Sequence, residues 1–218
     1  MIIAACESNH GGDMNVAREM IKIAKDCGCE IIKFQLYDAE DDKGKPHYEW
    51  VKKAELSFDQ AKMLFDYGAE VGIEVFFSIF GVKYVDWCEK IGVKRYKIAS
   101  LMNDDVVINA IKRTGKDIVE STNGGRIFYY PAKALYCPPE YPQREIKFIN
   151  LNWANGFSDH TIGLDVAKIA LAHGASIIEK HFILDREHSQ SPEREWSMNP
   201  EELREMKRWE IVCQKVLK

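Results

Sequence analysis

Short, wholly apolar runs alternate with longer segments of helical periodicity along the chain, and no other feature restricts the fold as much. Residues 2–6 form the first run, as expected of a strand covered on both faces. After a loop holding Gly11 and Gly12, Val16, Met20, Ile23, Ala24 and Cys27 recur at three- and four-residue spacing, one face of a helix. Further strands are predicted at 30–34, 73–78, 95–99, 117–121, 132–137, 153–157 and 176–179. Ser57 caps a helix that runs through Val71 and stops at Gly72. Helical spacing returns at 84–91, after a cap at Asn103 or Asp104 as far as Gly115, and at 164–173. The last helix opens at Asn199-Pro200-Glu201-Glu202 with a cap, a proline and an acidic first turn. Residues 37–57 read as a long charged connection.

Eight βα units make a parallel sheet. At 218 residues the chain suits one domain, 1–218, folded as a closed (β/α)8 TIM barrel. Glu7, Lys33, Ser78, Lys97, Ser121, His160 and His181 all fall near C-terminal strand ends, where such barrels build their sites. An open doubly wound sheet would gather them at one crevice instead. The connections after strands five and six are too short for ordinary crossover helices, so those helices are expected to be missing and the wall thin or partly open there.

A net charge of −4 with dispersed basic residues argues against nucleic acid. The six cysteines fit neither a zinc knuckle nor a CxxC motif and read as buried free thiols. No run reaches membrane-spanning length, and the opening apolar run is too short for a signal segment. A cytoplasmic protein is expected, with no membrane partner.

Two segments carry the chemistry: Gly156-Phe157-Ser158-Asp159-His160-Thr161 and Ile177-Ile178-Glu179-Lys180-His181-Phe182. Side chains alternate along a strand, so Ser158 shares a face with His160, and Glu179 with His181. The helix between them lays the two strands side by side, about 4.8 Å apart. Two imidazoles without cysteine ligands suit a borderline or hard divalent ion that polarises a carbonyl. Glu7 and Glu179 could ligate, orient water or transfer a proton. Asp159 is expected to hold His160 in one tautomer. The plainer alternative makes both histidines ordinary strand-end residues bonded to backbone.

Lys33 and Lys97 each interrupt an apolar strand, and a lysine in a barrel mouth needs an anion or a carboxylate. With Ser100, Ser121 and Ser158 they suit a ligand bearing phosphate and carboxylate. Alternatively they pair with Glu7 or Glu179. The charges between Lys43 and Lys53 read as a solvated loop, and Phe128-Tyr129-Tyr130 as packing. Gly124-Gly125 is too weak a signal for a phosphate loop.

Glu7-Ser8-Asn9-His10, Ile32-Lys33-Phe34-Gln35, Tyr96-Lys97-Ile98-Ala99-Ser100, Glu120-Ser121-Thr122 and the two histidine segments occur in this order. Together they resemble the ordered motifs of the N-acetylneuraminate (sialic acid) synthase family, whose relatives make legionaminic and pseudaminic acids. The resemblance implies a phosphoenolpyruvate-dependent synthase, a transferase of carbohydrate biosynthesis that condenses phosphoenolpyruvate with an N-acetylated amino-sugar aldehyde. It implies manganese or magnesium on His160 and His181. Lys33, Lys97, Ser100, Ser121 and Ser158 would hold phosphoenolpyruvate. Glu7, Gln35, Tyr141 and Glu179 would face the sugar or the metal-bound water, and Glu193 stands at a sugar contact. Small-molecule partners are implied, and a homodimer is admitted.

The pattern departs from the family in several places. Ser191-Pro192-Glu193 replaces Gly-Pro-Asp, and Asn123 replaces a glycine. Pro139-Glu140 removes a side-chain donor and adds negative charge, and Leu101-Met102 follows Ser100. The family's C-terminal antifreeze-like domain is expected to be missing. Two other functions share these residues: a metal-dependent aldolase or lyase on another substrate, and a sugar-acid-binding or regulatory barrel without turnover.

Overall fold

Strands that are apolar on both faces need cover on both, and a ring of strands inside a ring of helices supplies it. In the computed structural model, which describes residues 1–123, 132–144, 151 and 153–217, eight parallel strands close into a barrel in sequence order. They are β1 (Ile2–Glu7), β2 (Ile31–Leu36), β3 (Glu74–Ile79), β4 (Arg95–Ile98), β5 (Asp117–Thr122), β6 (Ala132–Tyr136), β7 (Gly156–Asp159) and β8 (Ile177–His181). The helices are α1 (Met14–Asp26), α2 (Tyr48–Ala54), α3 (Phe58–Val71), α4 (Lys83–Ile91), α5 (Asp105–Arg113), α6 (Asp165–Ala172) and α7 (Pro200–Val216). β8 pairs with β1 and closes the ring.

The strand period of two sorts the residues. Inside, Ile3, Ile31, Phe76, Val119, Leu135 and Ile177 form an apolar plug. Two residues further along the same strands come Lys33, Ser78, Ser121 and Glu179, joined by Lys97 of β4. The alternate residues, among them Ile2, Ala4, Ile32, Phe34, Phe77, Tyr96, Phe157 and Ile178, join the helices in the larger core. A parallel barrel thus turns an apolar-to-polar change along each strand into a dry floor beneath a polar mouth.

Local signals set the helix ends. Ser57 and Gln60 form a capping box at α3, and Gly72 ends it at φ +78°. Asp104 is the cap of α5, and Asn199 with Glu202 and Pro200 starts α7.

Three expectations change. The connection 37–57 contains α2 and a 3-10 turn, Ala39–Asp42. β7 begins at Gly156 and not at 153, because Gly156 is where the chain comes against β8. A Cβ there would lie 2.0 Å from the Ile177 carbonyl oxygen. The wall expected to be partly open is closed, since β6 pairs in parallel with both β5 and β7. No helix occurs among the described residues of those two connections. Gly124-Gly125 and Phe128-Tyr129-Tyr130 lie outside the described residues. All six cysteines are buried and free. Among the described residues no helix is long and apolar enough to cross a membrane.

Candidate functional site

The C-terminal strand ends surround a cavity of about 440 Å³. All twelve side chains expected at the site line it. β1 delivers Glu7, β2 Lys33 and Gln35, β4 Lys97, β5 Ser121, β7 Ser158, and β8 Glu179 and His181. Ser100, Tyr141, His160 and Glu193 come from the segments that follow strands. The rim adds residues that sequence reasoning misses, including Tyr37, Asp38, Asp42, Lys45 and Phe80. Lys45 belongs to the stretch expected to be merely solvated.

The floor is a charge network. Lys33 Nζ lies 2.5 Å from Glu7 Oε1 and 3.4 Å from Glu179 Oε1. Lys97 Nζ donates to Ser121 Oγ at 2.7 Å and to the Ile98 carbonyl at 2.9 Å, and lies 3.7 Å from Glu179. Ser158 Oγ donates to Glu179 Oε1 at 3.3 Å. The pairing of the lysines with glutamates is therefore present, and it leaves room for the other reading. An ammonium with three donors keeps one for a ligand. The Oε2 atoms of Glu7 and Glu179 are buried without a hydrogen-bond partner, which costs free energy unless a ligand or water donates to them.

The two carboxyls are driven apart. Burial pushes Glu7 above its ordinary range despite Lys33. Burial acts the same way on Glu179, but the charges of Lys33 and Lys97 outweigh it and hold that carboxyl below its usual value. Such a split suits one carboxyl to giving a proton and the other to taking one. Glu7 also adopts φ +46°, beside the register shift between Ala5 and Glu7, so strained backbone aims its carboxyl inward.

The rings of His160 and His181 lie 5.0 Å apart at 79°. Burial holds both imidazoles well below their ordinary pKa, so each is neutral with one ring nitrogen unprotonated, and an ion on His181 would have to displace the Trp196 bond to that nitrogen. Trp196 Nε1 donates to His181 Nδ1 at 3.2 Å, and Glu193 Oε2 lies 3.8 Å from the same nitrogen. His160 Nδ1 faces Cys137 Sγ at 3.8 Å, with the Tyr141 ring 4.0 Å away. Among the described residues no three His, Cys, Asp or Glu side chains form a ready metal cage. Two neutral imidazoles beside unpartnered carboxylate oxygens fit an ion whose shell is completed by water and substrate oxygens.

Asp159 does not bond the His160 ring and so does not set its tautomer as expected. Its Oδ1 accepts from Thr161 N and Thr161 Oγ1, and its Oδ2 from Lys180 Nζ. Alternation along β7 puts it on the outer face. Pro139 and Glu140 are exposed and do not line the cavity, so the expected negative charge lies outside it. Ser100 Oγ and Tyr141 Oη bond each other at 2.7 Å at the rim. Trp196 and Cys137, which touch the histidines, also escape the sequence reading. Trp196 stands out as an aromatic in the polar stretch 193–197, whereas Cys137 ends a predicted apolar strand like an ordinary core residue.

Glu193 Oε2 accepts from Ser8 N at 3.3 Å and Ser8 Oγ at 3.1 Å. Burial and the charge of Glu7 push its carboxyl up to about 8. The folded protein therefore keeps a proton that the unfolded chain releases near the ordinary glutamate value. This contribution to stability is complete in acid and is lost as pH rises towards 8. Glu193→Gln is expected to lessen the stability lost between pH 5 and pH 8 by roughly 2 kcal/mol. Urea midpoints of the metal-free protein at the two pH values check this, and equal losses refute it.

Comparison with known proteins agrees with this geometry. The sequence model of the NeuB family matches residues 20–126 and 143–217. An uncharacterised protein of Methanocaldococcus jannaschii is 34% identical over 94% of the chain and 68% of its own length. The N,N'-diacetyllegionaminic acid synthase of Campylobacter jejuni is 29% identical over 94% of the chain and 73% of its own. Among solved structures, the N-acetylneuraminic acid (sialic acid) synthetase of Leptospira borgpetersenii, in complex with citrate, superposes with a TM-score of 0.89. It is 30% identical, covering 99% of this chain and 84% of that one.

Proposed function

The chain belongs to the NeuB family, and on that premise we propose that it joins phosphoenolpyruvate to the open-chain aldehyde of an N-acetylated amino sugar, giving a nonulosonic acid and inorganic phosphate. One observation carries this reading. Two buried lysines, a split pair of carboxyls and two neutral imidazoles face one cavity. A ligand with phosphate and carboxylate matches the lysines, and a polarisable carbonyl matches the imidazoles.

The methylene carbon of phosphoenolpyruvate attacks the aldehyde carbon, and the new carbon–carbon bond leaves the aldehyde oxygen to take a proton. Water adds to the cationic C2 and loses a proton, and as the bond from C2 to the phosphate oxygen breaks the C2 hydroxyl gives its remaining proton to the departing phosphate, leaving a keto acid. Lys33 and Lys97, with Ser100, Ser121 and Ser158, hold the phosphate and carboxylate. Glu179, kept ionised, orients the water and takes its proton. Glu7, pushed up by burial, protonates the aldehyde oxygen. Gln35, Tyr141 and Glu193 contact the sugar from the rim. Manganese or magnesium on His160 and His181 would polarise the aldehyde oxygen when bound.

The test is release of phosphate from phosphoenolpyruvate with manganese and a panel of N-acetyl amino sugars. His160→Ala is expected to lower the rate by about 10³-fold or more, on the order of 4 kcal/mol of barrier. If no sugar elicits release above that variant, the synthase reading fails. Turnover of a sugar acid without phosphoenolpyruvate would mark an aldolase or lyase instead.

A further inference from the structure

Behind the site, on the outer face of β7 and β8, lies an ion pair that the chemistry above does not use. Lys180 Nζ donates to Asp159 Oδ2 at 2.9 Å and to the Thr161 carbonyl at 2.6 Å. Asp159 Oδ1 accepts from Thr161 N at 2.9 Å and from Thr161 Oγ1 at 2.7 Å. Both charged side chains are almost wholly buried, at 1% and 0% exposure. His160 sits between the two residues this network grips. Its carbonyl also accepts from Gln143 N at 2.9 Å, so backbone is fixed on each side of the ring. Lys180 itself stands between Glu179 and His181 and is the register partner of Asp159.

We infer that Lys180 and Asp159 are positioning residues that set the His160 ring against the His181 ring through the Thr161 carbonyl. β7 ends at Asp159, so no ladder hydrogen bond to β8 continues through His160. Lys180 takes over that duty from the strand. Its reach past His160 to residue 161 is a directional hold that an apolar side chain cannot make. An apolar pair of similar volume would still fill the outer face, because a buried ion pair and its hydrophobic replacement are often close in stability. Positioning and folding can therefore be separated. The cobalt arm of the test rests on the metal reading above, and the ring arm does not.

The experiment uses the full chain with labelled histidine, and compares wild type with the double variant Asp159→Leu/Lys180→Met. His160→Gln assigns the His160 ring signal. The ring signals of His160 and His181 are expected to be single and sharp in wild type and to broaden or split in the folded double variant. Cobalt affinity, read by visible absorption, is expected to fall about 10- to 100-fold, the usual cost of losing a partner behind a ligand. The KM for phosphoenolpyruvate is expected to hold while kcat falls. Ring signals unchanged from wild type would overturn the inference. Should the double variant not fold, Asp159→Asn/Lys180→Met keeps the acceptor for Thr161 N and Thr161 Oγ1 and removes the lysine's hold on the Thr161 carbonyl. It is expected to broaden the same two signals, and unchanged rings there also overturn the inference. Failure of the wild type to take up cobalt would end the metal reading, and the ring signals would still decide this one.

Discussion

Lys33→Met is expected to abolish phosphate release and to destabilise the barrel by about 3–5 kcal/mol, the usual cost of removing one partner of a buried ion pair. Lys33 is the cation that Glu7 and Glu179 share. Without it, two buried carboxyls face each other, each already carrying one unpartnered oxygen. Lys97, at 3.7 Å, is left to serve Glu179 alone. Glu7, already pushed up by burial, loses the cation that drew it back down and keeps its proton to higher pH than in the wild type. The folded variant then binds a proton that the unfolded chain does not, so the loss is greater at pH 8 than at pH 5. Adding Glu7→Gln should return most of the stability and none of the turnover. Denaturant midpoints of both variants at the two pH values, with a phosphate assay, decide the matter. A Lys33→Met protein with wild-type turnover would remove the lysine from the chemistry.

Gly156→Val is expected to cost about 3 kcal/mol, the upper end for forcing extra atoms into a packed core, and to disable the site. The obstacle is backbone. The first added carbon would sit 2.0 Å from the Ile177 carbonyl oxygen and 2.8 Å from its carbon, so no rotamer relieves it. β7 has to move off β8 at its first residue. β7 is only four residues long, and its other end leads into His160. The imidazole pair should open, so metal affinity and turnover should fall together with the denaturant midpoint. A Gly156→Val protein that keeps all three would show that β7 is more pliant than its packing implies.

Most of the barrel and its mouth can be read from residue order because both follow from a period of two. Once residues 31–35 are a strand, Ile31, Lys33 and Gln35 must share a face, and the same holds for Ile177, Glu179 and His181. The remaining features follow from other physics. Placing Asp159 behind His160 rests on proximity in sequence, although the same period sends neighbours to opposite faces; Lys180 and Thr161 claim it. α2 is hidden because Gly44, Pro46 and a run of charges resemble a loop, while only Trp50, Val51 and Ala54 mark its apolar side. Trp153 suggests a strand by its propensity, but β7 starts where Gly156 allows close approach. The rim residues Asp38, Asp42 and Lys45 come from a connection whose path no periodicity records.

Lys33 stands on β2, yet its two carboxylate partners belong to β1 and β8, the strands that meet where the ring closes. A molecule that draws this ammonium towards itself therefore pulls on the stitch that joins the sheet's first and last strands. Occupancy of the mouth and tightness of that join become one thermodynamic quantity. Amide exchange along residues 2–5 and 178–181 would then serve as a gauge of what the protein is holding, with no need to watch the reaction at all.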